Sequence, residues 1–291
     1  MASPWSDLSR PPLRTPALRA ALLAGPGGDH GWRALDVVES TGSTNADLAA
    51  RARAGEAAGA VLVAEHQSAG RGRMSRTWTA PPRASLAVSV LLRPRAPAQR
   101  WSWLPLLAGV AVVDALTTTC GLPARLKWPN DVLLPDAGDP RATQWRKVAG
   151  ILAEVVTGGA GPAAVVLGLG LNVSQTVEEL GLPSATSLLA AGAAVLDRDT
   201  VLRAYLRALD ARFRRWDAAG GDVRAGGVAA TYREVCATLG RDVEIRLERR
   251  TPLLGRAVEV DDAGRLVVEA AGERHLLAAG DVVHVRPGPD A

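Results

Sequence analysis

Residues 60–94, AVLVAEHQSAGRGRMSRTWTAPPRASLAVSVLLRP, set two apolar runs on either side of a short segment dense in arginine and glycine. The flanking runs, AVLVAEHQ and SLAVSVLLRP, have strand length and many β-branched residues. The segment between them is too charged for a buried helix and too long for a tight turn. Arg71, Arg73 and Arg76 offer forked donors to an anion, and Gly70 and Gly72 permit positive φ, so the chain is expected to wrap closely round a ligand. A phosphate or a carboxylate suits that combination. A solvated loop, an RGG-like nucleic-acid contact and a segment ordered by unrelated ion pairs are the other readings. The RGG reading ranks low, because such segments repeat and are disordered, whereas this one occurs once between two apolar strands.

Working outward, residues 1–30 are rich in Pro, Ala and Gly, with one short helix around Leu18 to Leu23 and no room for a helix-turn-helix before the first strand, WRALDVVES. STGSTNADLAARARAG then supplies Ser43 and Thr44 as N-caps of an Ala-rich helix that ends at Gly55. Downstream, Trp101 to Thr118 has helical length and periodicity, Gly121 breaks it, and three apolar runs follow: RLKWPNDVLL, KVAGILAEVV and AAVVLGLGLNV. Two amphipathic helices are expected between Asp199 and Leu239, the first with Leu202, Leu206, Leu209 and Phe213 on one face. After Gly240 the texture changes to five short alternating strands separated by tight turns, the pattern of a small SH3-like barrel. The fold class is therefore α+β: a mixed β-sheet domain packed with helices over residues 31–237, preceded by the 1–30 segment and followed by an SH3-like C-terminal domain over 238–287.

The 291 residues are 47% hydrophobic and 22% charged, the balance of a globular chain. No unbroken apolar run reaches the roughly eighteen residues that span a bilayer, and the N-terminus lacks the plan of a signal peptide, so a cytoplasmic location and no membrane partner are expected. Cys120 and Cys236 are too few and too far apart for a disulfide framework or metal cluster. A formal charge of +4 is small for this length and decides nothing about a polyanion partner. The kind of cation says more. Of 34 Lys plus Arg, two are Lys, Lys127 and Lys147. Where generic positive charge is written as Arg, a retained Lys marks either a solvated face or a place that needs a compact ammonium. Spacing alone leaves those two readings even. Nucleotide fingerprints fail: neither lysine follows a glycine, and GLGLNV has Val173 where a dinucleotide motif has its third glycine.

Taken in order, STGSTN (40–45), AEHQSAGRGRMSRTW (64–78), KWPNDVLL (127–134), KVAGILAEV (147–155) and GLGLNV (168–173) resemble the biotin protein ligase family. The resemblance spans roughly residues 35–286 and looks like the ligase-only class without an N-terminal helix-turn-helix. It implies a reaction in which ATP and biotin give biotinyl-5′-adenylate, whose acyl group passes to one lysine of a biotin carboxyl carrier domain of acetyl-CoA or acyl-CoA carboxylase.

The resemblance also implies roles for individual residues. Arg71, Arg73 and Arg76 face the phosphates, Gly70 and Gly72 give the loop its reach, and the loop closes over the adenylate. Lys147 reaches the biotin carboxyl and the adjoining phosphate oxygen, and Lys127 lies near the phosphates beside Asn130 and Asp131. Asp131 either helps hold Mg²⁺ or assists the incoming amine. Ser43, Thr44, Asn45 and Gln67 contact biotin, with Arg71, Gly72 and Arg73 beside it, and Trp78 walls its apolar part. Asn172 contacts adenine, and Gly150, Gly168 and Gly170 admit backbone close to the ligands.

Two departures from the family pattern stand out. PDAGDPRATQWR (135–146) is longer than the expected hairpin, leaving strand register open and Trp145 either packed on the surface or against a partner. GLPSATSLLAAG carries no tryptophan to cover an adenine. A lipoate ligase or related acyltransferase is the nearest rival, disfavoured by the GRGRxxRxW pattern and the C-terminal barrel. A nucleic-acid-binding role is disfavoured because residues 240–286 contain no Phe, Tyr or Trp. An inactive scaffold is disfavoured by the occupied cationic positions. Sequence leaves the oligomeric state open, a homodimer included.

Overall fold

A computed structural model describes residues 9–23, 31–138, 144–246 and 251–284. In chain order the elements are α1 (Thr15–Leu22), β1 (Ala34–Val38), α2 (Thr44–Arg53), β2 (Ala60–Ala64), a small hairpin of β3 (Gly70–Arg71) and β4 (Thr77–Trp78), and β5 (Ser85–Leu92). A 3-10 turn, Ala98–Trp103, leads into α3 (Leu104–Ala115), which ends in a π turn, Leu116–Cys120. Then come β6 (Arg125–Lys127), β7 (Asp131–Pro135), β8 (Trp145–Val156), β9 (Ala164–Asn172), α4 (Val177–Leu180), α5 (Arg198–Ala218) and α6 (Val228–Val235). The last strands are β10 (Asp242–Arg246), β11 (Leu253–Val260), β12 (Leu266–Ala270), β13 (Glu273–Leu277) and β14 (Asp281–His284).

The main sheet has seven strands in the order β1-β2-β5-β9-β8-β7-β6, with β1 and β2 parallel and the other neighbours antiparallel. It is covered on both faces, which is why the eight residues of β5 are all buried. Alternate side chains divide between the two sides. Leu62, Leu91 and Val166 pack under Leu48 and Ala52 of α2, while Val61, Val63, Val90, Val165 and Leu167 join the larger core with α3, α5 and α6. The helix α3 is apolar on nearly every side because all its residues but Pro105 and Asp114 are buried. Ala98–Cys120 as a whole is long and apolar enough to cross a membrane by length and composition, a possibility that a search for unbroken apolar runs passes over; 72% of its most apolar window is buried, as in the central helix of a core.

The expected helix stops hold: Gly55 has φ 98° and Gly121 φ 69°. Three expectations are corrected. The N-terminal helix starts at Thr15, three residues before the expected Leu18, with Pro16 in its first turn. RLKWPNDVLL, read as one continuous apolar run, is broken into a hairpin, β6 and β7, with Lys127 opposite Asp131 and a cis peptide between Trp128 and Pro129 in its turn. Ser43 occupies the N-cap of α2 with extended backbone, yet its side chain makes no capping hydrogen bond.

The five C-terminal strands form one antiparallel sheet in the order β13-β12-β11-β10-β14, as the SH3-like pattern requires. Two buried tryptophans dock it: Trp103 Nε1 donates to Asp262 O (2.8 Å) and Trp128 Nε1 donates to Gly264 O (3.0 Å). The docking brings β14 to the mouth of the main sheet.

Candidate functional site

A cleft of about 940 Å³ opens on the α2 side of the sheet. Its floor follows from strand register, because directly opposed residues share a face. One row runs Ala87–Gly170–Gly150–Asp131 across β5, β9, β8 and β7, and the next runs Leu62–Ser89–Gly168–Leu152. The two rows hold three glycines where the neighbouring strands carry side chains, and a trough results. Its glycines are enforced by contact: a Cβ on Gly168 would lie 2.1 Å from Asn45 Oδ1, and one on Gly170 would lie 2.5 Å from Trp78 Cε2. On Gly150 it would meet Lys147 and Trp78 at 3.3 and 3.4 Å. The Trp78 indole thus lies in the trough, with Nε1 buried and no acceptor for it among the described residues.

The start of α2 closes one end. Ser43, Thr44 and Asn45 are buried and line the cleft. Gln67 Oε1 accepts from Thr44 N (2.9 Å) and Thr44 Oγ1 (3.0 Å), and Ser89 Oγ lies 2.7 Å from Thr44 Oγ1 and 2.6 Å from Asn45 Oδ1. Asn45 Nδ2 donates to Glu154 Oε2 at 2.7 Å and Leu152 O at 3.2 Å. The result is a hydrogen-bonded polar set at the blind end of the glycine-floored trough.

The arginine segment folds as the β3–β4 hairpin over the trough, with Gly70 opposite Trp78. The expectation that Gly70 and Gly72 take positive φ is not met; Met74 (φ 54°) and Ser75 (φ 58°) do so at the tip. Gly70 is required instead by crowding, since a Cβ there would lie 2.4 Å from Trp78 O and 2.8 Å from Gln67 Nε2. Of the candidate site residues named from the sequence, Gly70 alone does not line the cleft; it is buried behind it. Each arginine has a protein acceptor: Arg71 with Glu154 (3.1 Å), Arg73 with Asn130 Oδ1 (3.3 Å), and Arg76 with Asp281 of β14 (2.6 Å). Burial lowers the Arg73 pKa, whereas the hydrogen bond to Asp281 raises that of Arg76.

Lys147 reaches the same face through an irregularity. Asp131 pairs with Gly150 but Leu133 pairs with Lys147, so Val148 is an extra residue, a β-bulge. Strict alternation would put Lys147 and Gly150 on opposite faces; the bulge puts them on one. Lys147 Nζ stands 2.6 Å from Asp131 Oδ1 and 5.9 Å from the centroid of the Trp78 ring. Lys127 lies beside them at the cleft, its pKa lowered chiefly by burial and also by Lys147 and Arg76, against the pull of Asp131 and Asp281. Asn130, the neighbour of Asp131, donates through Nδ2 to Ile151 O at 3.1 Å.

The wall opposite α2 is residues 175–185. It is stitched to β8 where Lys147 N donates to Ser184 O and Thr186 N donates to Lys147 O, both at 2.8 Å. Asn172 is buried at its root, donating to Thr186 O and accepting from Gln175 Nε2, both at 2.9 Å. Trp145, whose place the sequence left open, lines the cleft. The β7–β8 ladder is closed by Asp136 N donating to Gln144 O at 2.9 Å, which fixes the register; residues 139–143 of that longer loop lie outside the described residues.

Sequence reasoning missed Ser89, Glu154, Arg241, Asp281 and His284. Ser89 and Glu154 sit inside apolar strand runs and carry a signal only as polar breaks in them. The other three come from the C-terminal domain, which no spacing argument links to the motifs. His284, held 3.2 Å from Thr238 Oγ1 by Nε2, has its pKa lowered to about 4 by burial and by the charges of Lys127 and Arg241. Among the described residues no three His, Cys, Asp or Glu side chains cluster to hold a metal.

Comparison with known proteins agrees with this geometry. Residues 37–172 match the model of the biotin/lipoate A/B protein ligase family, and residues 238–285 match the biotin protein ligase C-terminal domain. The chain is 45% identical to a biotin–[acetyl-CoA-carboxylase] ligase of Mycobacterium tuberculosis over 96% of this chain and 98% of that protein. It is 31% identical to the bifunctional ligase/repressor BirA of Bacillus spizizenii, over 85% of this chain and 72% of that one. A solved biotin protein ligase from Aquifex aeolicus in complex with biotin and ATP superposes with a TM-score of 0.68 at 25% identity, covering 88% of this chain and all of that one.

Proposed function

The chain belongs to the biotin/lipoate A/B protein ligase family, and from that premise we propose that it activates biotin with ATP and transfers it to a carrier-domain lysine. The observation that carries the reading is the convergence of Lys147, Lys127, Arg71, Arg73 and Arg76 on one glycine-floored trough whose blind end is polar. A trough floored by glycine beside Trp78 and ending in hydrogen-bonding groups suits a bicyclic ring with a ureido head, and the cations lie where a tail carboxylate would meet phosphate.

In the first step a biotin carboxylate oxygen attacks the α-phosphorus of ATP, and the bond from that phosphorus to the pyrophosphate oxygen breaks. Two anions must be brought together, so fixed positive charge at the junction lowers the barrier. Lys147 supplies a point charge there; Arg71, Arg73 and Arg76 exchange their protein acceptors for phosphate oxygens; the half-buried Lys127 adds a further charge at the cleft. Ser43, Thr44, Asn45 and Gln67 hold the ureido group, Gly72 lets the hairpin approach it, and Trp78 leaves the trough to wall the ring. Gly168, Gly170, Asn130 and Asn172 border the adenylate, and Gly70 sets the hairpin against Trp78. A nucleotide-borne Mg²⁺ fits a cleft with separate carboxylates rather than a ligand cage; Asp131 would hold it, and the ion would neutralise phosphate charge.

In the second step a lysine amine of the carrier attacks the acyl carbon, an amide forms and AMP leaves. A free amine near pKa 10.4 is mostly protonated at neutral pH, so a proton acceptor is needed. Asp131, beside Lys147, is our candidate. The catalytic part is residues 31–237 and the SH3-like part 238–287, whose β14 borders the phosphates; residues 1–30 precede them. The acceptor is a biotin carboxyl carrier domain of an acyl-CoA carboxylase, and the compartment is the cytoplasm.

Pyrophosphate exchange tests this. Exchange into ATP that needs biotin, ignores lipoate and is lost in Lys147→Ala is the expected result. Exchange with lipoate instead would move the chain to the sister activity, and none with either acid would remove the adenylation reading.

A further inference from the structure

We propose that Arg10 is a positioning residue for the nucleotide side of the cleft, acting through Glu179. This rests on the adenylating reading of the site. The guanidinium, only 16% exposed, grips Glu179 with both terminal nitrogens (3.0 and 2.5 Å), and its Nη2 also donates to Ser174 O at 3.1 Å. These two acceptors bracket the root of the wall formed by residues 175–185. Glu179 is also part of the capping box of α4, where its Oε2 accepts from Thr176 N at 3.0 Å. One arginine therefore fixes both the strand exit at Ser174 and the only helix in the wall.

Arg10 can do this because the segment carrying it is itself fixed. Pro11 and Pro12 restrict the backbone after it. Pro11 O accepts from Arg198 Nη2 (2.7 Å), Leu13 N donates to Glu65 Oε1 (2.6 Å), and Arg14 Nε donates to Asp199 Oδ2 (3.0 Å). Glu65 and Arg198 are a buried pair at 2.6 Å. Glu65 also stands two residues before Gln67, so the strap 10–14 is anchored beneath the blind end of the trough and extends to the opposite wall. From that wall Ser184 and Thr186 hold the backbone of Lys147, and Leu180 and Leu182 face the cleft. A wall released from Arg10 would weaken the nucleotide's seat and leave the blind end, where biotin binds, as it is.

The test compares the full-length chain with Arg10→Ala and Arg10→Lys by biotin-dependent pyrophosphate exchange, biotin binding without nucleotide, and deuterium exchange over residues 174–186. In Arg10→Ala the KM for ATP should rise roughly tenfold, the scale of a lost charge-assisted hydrogen-bond pair, with kcat and biotin affinity within about twofold. Deuterium exchange over 174–186 should quicken, and Arg10→Lys, which keeps charge without the fork, should fall between. Unchanged protection of 174–186, or equal losses toward ATP and biotin with lowered thermal stability, would overturn the proposal. If the unaltered protein shows no exchange reaction at all, the adenylating reading fails by itself, and the deuterium comparison then decides the Arg10 linkage alone: unchanged protection refutes it.

Discussion

Acidification should destabilise the folded chain through one residue, His284. Its imidazole is held near Thr238 Oγ1 and kept neutral, with a pKa of about 4 where an unburied histidine has 6.5, because protonation would bury a charge beside Lys127 and Arg241. The folded pKa lies below the unfolded one, so between these values the unfolded chain binds more protons. The stability is whole above about pH 6.5 and is lost as pH falls toward 4. At about 1.36 kcal/mol for each pH unit, the fall from 6.5 to about 4 caps the loss near 3 kcal/mol, with about 2.5 kcal/mol of it lost by pH 4.5. Other groups also titrate in this range, so the measurement is a difference: urea unfolding of the unaltered chain and of His284→Gln, each at pH 7.5 and 4.5. The variant is expected to be the less stable at neutral pH, where it loses packing, and to close or reverse the gap at pH 4.5. A gap of the same size at both pH values would refute the reasoning.

Two further substitutions probe the trough and the hairpin. Gly170→Ala puts a methyl on the trough floor, 2.5 Å from Trp78 Cε2 and in the space the acyl-adenylate would fill, so the KM values for biotin and for ATP should both rise about tenfold in exchange kinetics. Asp281→Asn releases Arg76 from a half-exposed ion pair, so urea stability should fall by less than about 1 kcal/mol, while the apparent affinity for ATP should rise a few-fold because the triphosphate no longer competes with a carboxylate.

Much of this was legible in the sequence, for identifiable reasons. Buried strands are written as near-continuous apolar runs, so β2, β5, β8 and β9 stand out, and Gly55 and Gly121 mark helix ends. The site residues lie in motifs that the fold brings into one cleft. What was hidden depends on register or on distance along the chain. The bulge at Val148 has no composition of its own, yet it decides where Lys147 points. Gly70 and Gly72 looked like residues chosen for φ; Gly70 is chosen for room against Trp78 O. Asp281 and His284 enter the cleft from more than a hundred residues downstream of the arginine hairpin, and Arg10 reaches the wall behind it from an N-terminal stretch whose Pro-, Ala- and Gly-rich composition gave no sign of that contact.

The bulge and the closing rung of the β7–β8 hairpin together divide that hairpin into two regimes of length. Beyond the pair Asp136–Gln144, residues can be added or removed without a message reaching the cleft, because the ladder below re-establishes the same pairing. Between Lys147 and Gly150 the bulge itself decides the outcome: the same residues paired in regular alternation would put the two on opposite faces and turn the lysine away from the trough. Length variation among related chains should therefore collect in the 137–143 loop and stop at Trp145. A peptide tag inserted there should ride on a working enzyme, and deletion of Val148, which takes out the extra residue, should straighten the strand yet keep the lysine on the trough side.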